Sequence, residues 1–220
     1  VFHWLLVGLT ATAWFTGEGE GGTAGIHRYA GEAIAGLIVF RVIWGFCGGE
    51  HARFSDFATG PTAILDHVRN LFGRAPKRHV GHNPLGGLAV FLLLATIALI
   101  VLTGLFSAGE DNAGPFAGVW GLQLAGAHNV AFRILQGLVV VHVIGVGVET
   151  FKAKDGLVGA MITGRKMRRP DEAGANARPA SFFALAIAVG LGVATTAALV
   201  AAPRSATVSS DREASAPDRD

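Results

Sequence analysis

Eight histidines punctuate this chain of 220 residues, and four of them stand inside long apolar runs: His3, His27, His128 and His142. An ionisable side chain in such a run is costly to bury, so each needs a reason to be there. One histidine could be a hydrogen-bonded packing residue, but four at matching depths point to a shared task. His128 and His142 lie 14 residues apart on one run. As a helix, that spacing is about 21 Å of rise and returns to within about 40° of the same face. The helix therefore presents two imidazoles on one stripe, one above the other. His27 opens a second run at the level of His128, and His3 opens a third at the level of His142. Two facing pairs result, His27 with His128 and His3 with His142. Zinc wants a third and usually a fourth ligand, and neither pair has a Cys, Asp or Glu at an obvious spacing. Haem iron needs only two axial ligands, and histidine is a standard one. The expected cofactors are two haem b groups, with the four histidines as ligands of the iron.

A flat macrocycle between helices needs small residues beside it. Gly31, one turn after His27, and Gly137 and Gly145, flanking His142, suit that role. Ordinary close helix packing is the alternative. Three arginines also lie within the runs: Arg28, Arg41 and Arg133. Pairing with haem propionates would account for them. Snorkelling to the interface is the alternative for Arg41, near its helix end.

The elements that must hold these residues are membrane spans. Apolar residues make up 51% of the chain and charged ones only 15%, against about a quarter charged in a soluble domain. Five spans are expected, at 1–16, 26–48, 84–106, 127–151 and 181–202. The last four are near the roughly 20 residues a helix needs to cross. The first is short. The chain starts at Val1 rather than Met, so a trimmed N-terminus is expected. A cleaved signal peptide is the rival reading, disfavoured by the lack of a basic leader and by a histidine beside a tryptophan. Asn83 can cap the third span, and Pro84 suits its first position.

Segment 50–83 carries Arg53, Arg69, Arg74, Lys77 and Arg78, and segment 152–180 is richer still in Lys and Arg. Loops 17–25 and 107–126 have neither, and hold Glu18, Glu20, Glu110 and Asp111 instead. The basic segments are therefore read as cytoplasmic. That gives a multi-pass protein of a bacterial inner membrane, with a cytoplasmic N-terminus and a periplasmic C-terminal tail. Trp4 and Trp44 near one interface, and Trp14 and Trp120 near the other, suit an aromatic belt. Between the second and third spans, 61–73 alternates apolar and polar residues at helical spacing and reads as an amphipathic helix on the membrane surface. The tail at 203–220 is expected to be disordered. A single cysteine, Cys47, excludes an internal disulfide, covalent haem attachment and a cysteine-ligated iron–sulfur cluster held by this chain alone. Membrane lipid is an expected partner and nucleic acid is not.

These residues resemble the prokaryotic di-haem cytochrome b family. It includes membrane subunits of nickel–iron hydrogenases and formate dehydrogenases, and small free-standing b-type cytochromes. The resemblance covers about 1–165. It rests on the Phe2-His3-Trp4 opening, His27 with Gly31 and Arg41 after it, the His128–His142 pair, and the Gly81-His82-Asn83-Pro84 entry to the third span. It implies an all-α membrane protein: a four-helix transmembrane bundle binding two haems at 1–165, here with a fifth C-terminal helix at 181–202. It also implies a quinone site at the inner face, to which Asn83 contributes. Asn83 can donate a hydrogen bond through its amide, and neighbouring His82 titrates near neutral pH and could carry a proton. The stretch Ala52-Arg53-Phe54-Ser55-Asp56-Phe57 resembles one subgroup associated with small soluble c-type cytochromes.

Two axial protein ligands per iron leave no open position for oxygen chemistry, which favours electron transfer. The expected function is transmembrane electron transfer between the quinone pool and a periplasmic redox partner such as a cytochrome c. One alternative keeps the haems and makes the chain the membrane anchor of a hydrogenase, formate dehydrogenase or similar enzyme, with a periplasmic oxidoreductase subunit as partner. Another, of a different class, is a metal-ion or proton transporter using the histidines with Glu32 and Glu149. The third span opposes it, since its only polar side chains are threonines. In the fifth span, Ala186, Gly190, Ala194 and Ala198 form a small-residue stripe that would either dock a partner or pack on the bundle.

Overall fold

The computed structural model describes residues 1–18, 22–71, 84–107, 113–117, 119–152, 157–163 and 180–202. Apart from turns and short connections, they are helical. The five long helices are α1 (Phe2–Thr16), α2 (Gly22–Cys47), α5 (Pro84–Leu105), α6 (Ala125–Lys152) and α8 (Phe182–Ala201). Three shorter ones, α3 (Phe54–Phe57), α4 (Pro61–Leu71) and α7 (Leu157–Thr163), lie in the connections. Among the described residues, α2, α5, α6 and α8 are long and apolar enough to cross a membrane. The chain is a multi-pass membrane protein built as a helical bundle.

Local chemistry sets the helix ends. Pro84 starts α5, where its missing N–H costs nothing. Ser181 caps α8 by accepting from the Phe183 N–H at 3.2 Å. The second helix begins at Gly22 rather than at 26. The Gly-Thr-Ala-Gly composition reads as loop, but Ala24 is fully packed, and that packing outweighs the weak propensity. His27 thus sits more than a turn inside its helix.

Buried residues are few, and large apolar side chains on α5 and α6, such as Leu92, Leu102, Val140 and Ile144, face outward. Lipid rather than a protein core is their solvent, so the bundle is held by close packing. α2 is its centre, with α1, α5 and α8 around it, while α6 packs along α5. Ile34, Ile97 and Leu135 join α2, α5 and α6, with Leu6 and Leu9 of α1 against them.

α8 crosses α2 at glycines. A Cβ on Gly36 would run into Thr196 and the Gly192 carbonyl, and one on Gly192 would meet the Gly36 carbonyl at 2.8 Å. The packed face of α8 is Ala188, Gly192 and Leu199. The stripe singled out from sequence, Ala186, Gly190, Ala194 and Ala198, faces outward. At the end of the bundle bearing the basic segments, Phe57 of α3 is buried and packs with Phe54 and Phe91. Gly87 of α5 gives it room, since a Cβ there would strike the Phe57 carbonyl.

Candidate cofactor site

At the other end, near the acidic loops, His27 of α2 and His128 of α6 face each other with ring centres 6.1 Å apart and planes at 76°. Each ring is held from behind. At the end of α1 the Gly17 N–H turns to the Trp14 carbonyl, so the Ala13 carbonyl has no helical N–H partner. His27 Nδ1 lies 2.8 Å from it. His128 Nδ1 lies 2.9 Å from the Ile100 carbonyl of α5, with the buried Thr103 hydroxyl 3.4 Å away. A carbonyl only accepts, so both Nδ1 atoms carry the proton and both Nε2 lone pairs are free to bind a metal.

The spacing fits a metal between the rings. A metal–nitrogen bond of about 2 Å on each side, with a ring radius of about 1 Å beyond it, puts two axial imidazoles about 6 Å apart. Both histidines line a cavity of about 720 Å³, within the ~300–1,000 Å³ of cofactor-sized sites. Gly31 lines it too, and a Cβ at Gly31 would meet only open space. Gly114 and Pro115, from the α5–α6 connection, close its acidic end. Among the described residues, no group of three or more His, Cys, Asp or Glu could hold a metal ion. Two facing imidazoles on an open, glycine-flanked cavity meet the demands of haem and fall short of those of zinc.

The other pair lies toward the basic end. His3 and His142 are half-buried, and close enough for the charge of one to bear on the other. His3 Nδ1 is buried with no hydrogen-bond partner among the described residues, and its ring lies edge-on to Trp4. Gly137 and Gly145 again border open space.

The sequence model of the family described as prokaryotic cytochrome b561 matches residues 1–164. The chain belongs to the prokaryotic cytochrome b561 family. As a member it is a membrane-embedded b-type cytochrome, a haem b protein of electron transfer. Among curated proteins, it is similar to a probable Ni/Fe-hydrogenase B-type cytochrome subunit of Rhizobium leguminosarum bv. viciae, at 26% identity over 78% of this chain and 87% of that one. A protein of the same description from Bradyrhizobium diazoefficiens is 25% identical over 65% of this chain and 66% of its own. No solved structure matches significantly.

The arginines of this cytochrome divide. Arg28 and Arg133 line the His27–His128 cavity. Arg28 Nε is 3.6 Å from buried Glu32, and its guanidinium lies over Tyr29. Arg41 is engaged elsewhere. It donates to the Ala52 carbonyl at 3.1 Å and lies over the Phe54 and Phe57 rings, fastening the segment after α2. His82 and Asn83 lie outside the described residues. Sequence reasoning missed Gly17 and Gly104, where a Cβ would press on the His27 and His128 rings at 3.3 and 3.1 Å. A glycine within or next to an apolar run was the available signal. It also passed over His67 of α4, which is buried and 2.8 Å from Glu149 of α6.

Proposed function

We propose that this cytochrome holds two haem b groups, one between His27 and His128 and one between His3 and His142, and passes electrons between quinone at its basic, cytoplasmic end and a redox partner at its acidic, periplasmic end. The observation that carries this reading is the His27–His128 pair, with both Nδ1 atoms anchored on carbonyls and ring centres at 6.1 Å. Haem held by these histidines would supply reversible one-electron exchange. The chain's own residues do the rest. The carbonyls of Ala13 and Ile100 fix the imidazole tautomers and orientations. Arg28 and Arg133 offer guanidinium groups to propionates. The glycines leave room for the macrocycle, and the segment around Pro115 screens it from water.

The two sites are stacked along α6, about 21 Å apart by helical rise, so the chain spans the bilayer as a conductor. The acidic loops suit a basic partner such as a cytochrome c. A second reading is supported by the relatives, which are described as probable B-type cytochrome subunits of Ni/Fe-hydrogenases. In that reading the periplasmic partner is an oxidoreductase subunit and electrons run inward to quinone. A pyridine haemochrome assay on the purified chain tests the core of both. Two b-type haems per chain are expected, and a colourless protein or a single haem would refute the assignment. Reduction by a hydrogenase rather than by a quinol would select the second reading.

A further inference from the structure

The buried His67–Glu149 contact takes no part in the sites above, although its residues are the kind that move protons. Nε2 of His67 and Oε1 of Glu149 are 2.8 Å apart, at 6% and 12% exposure. The contact ties α4, in the connection at the basic end, to the last turns of α6. Glu149 follows His142 by seven residues, about two turns and 10 Å further toward the basic end and within about 20° of the same face. One turn earlier on α4, Ile64 joins Phe57, Leu88 and Phe91 around an apolar hollow of about 130 Å³. That hollow lies one turn along α4 from the acid–base pair, at the end of the bundle where His3 and His142 lie.

We propose that His67 and Glu149 form the proton-exchange pair for the quinone couple, an inference that rests on quinone reacting at the basic end. Oxidation of a quinol breaks two O–H bonds and releases two electrons and two protons. The electrons need a one-electron acceptor, which haem held by the histidine pairs would supply, and the protons need a base. With the imidazole neutral, the pair carries one negative charge and has room for one proton. It accepts the proton of a quinol hydroxyl, passes it to water at the basic end, and does so twice per quinol. Quinone reduction runs the same exchange in reverse.

Among the described residues, the surroundings leave this role to the pair. On α4, Asp66 and Arg69 are exposed and 3.7 Å from each other. α5, which packs against α4, has no titratable side chain. Asp56 of α3 is exposed, Arg41 is bound to the Ala52 carbonyl, and in the sequence Lys152 follows Glu149 by three residues.

The test is stopped-flow reduction of the haem-loaded full chain by duroquinol across pH, in Glu149→Gln and His67→Gln. Each variant should be slowed about tenfold or more and lose the pH dependence of the wild-type rate. Haem content and reduction by dithionite should be unchanged. Added imidazole should restore His67→Gly. The reduced-minus-oxidised infrared spectrum should show a carboxyl band that disappears in Glu149→Gln. Rates within about twofold of wild type would overturn the proposal. So would slow variants that keep the wild-type pH profile and are not rescued, because they would mark the contact as a structural latch. If Glu149→Gln loses haem, His67→Gln on the peripheral helix decides by the same criteria. Failure of duroquinol to reduce the wild type at all would refute the quinone reading itself, and this proposal with it.

Discussion

His27 and His128 reach each other across the bundle, yet each is positioned by a third helix. His27 leans on the Ala13 carbonyl of α1 and His128 on the Ile100 carbonyl of α5. The site therefore depends on four helices, although α2 and α6 carry the two facing histidines. Fixed second partners of this kind orient ligands and raise their basicity.

Loss of ligands should follow the pairs. His27→Ala and His128→Ala should each remove the haem near the acidic loops and spare the other. His3→Ala and His142→Ala should do the reverse. Redox titration followed in the visible spectrum resolves the two components. If His27→Ala and His142→Ala removed the same component, the pairing would be wrong.

The arginines should separate by effect. Arg28→Gln and Arg133→Gln each remove a positive charge from the cavity lining. Electron addition there then becomes less favourable, and the potential of that haem should fall by tens of millivolts. Arg41→Gln should leave both potentials in place. It loses a charged hydrogen bond and two ring contacts, so the chain should unfold more easily, by about 2 kcal/mol. A potential shift in Arg41→Gln with no loss of stability would contradict this division.

Gly104 lies against the His128 ring. An added methyl would sit 3.1 Å from Cε1, so Gly104→Ala should be nearly tolerated after a shift of a few tenths of an ångström. Gly104→Val must displace the ring from the Ile100 carbonyl. Haem retention at that site should fall on the order of tenfold or more, with the other haem intact. Competition for haem with an apo-acceptor protein measures the loss, and equal retention in Ala and Val variants would argue against it.

The histidine stripe could be read from sequence because helical periodicity relates residues on one helix, and a spacing of 14 is two imidazoles on one face. What could not be read is non-local or carried by backbone. The Ala13 and Ile100 carbonyls are the same chemical group at every residue, so no letter marks them as partners. Arg41 looked like Arg28 and Arg133 until the segment folded back and placed Ala52 and Phe54 beside it. His67 was hidden among the polar positions of an amphipathic helix, because burial by a distant Glu149 leaves no local pattern. The start of α2 is illegible for a related reason, since Ala24 is drawn into helix by packing that local propensity does not report.

α8 supplies the last contrast, because its glycines differ only in direction. Small residues occur on several sides of this helix, and the stripe read from sequence is the one at Gly190, because periodicity alone does not say which side a neighbour covers. In the structure Gly192 lies against the Gly36 carbonyl and Phe40, whereas a Cβ at Gly190 meets nothing within 4 Å. Gly192→Leu should therefore wedge α8 from α2, at about 1–3 kcal/mol for an overpacked contact. Gly190→Leu should be close to neutral, since its side chain enters lipid. The thermal midpoint in detergent should drop only for Gly192→Leu. Both haem spectra should persist in each variant, because the four proposed ligands sit on α1, α2 and α6. Equal destabilisation by the two substitutions would mean that the outward face of α8 is itself covered, and would redirect attention to a partner helix there.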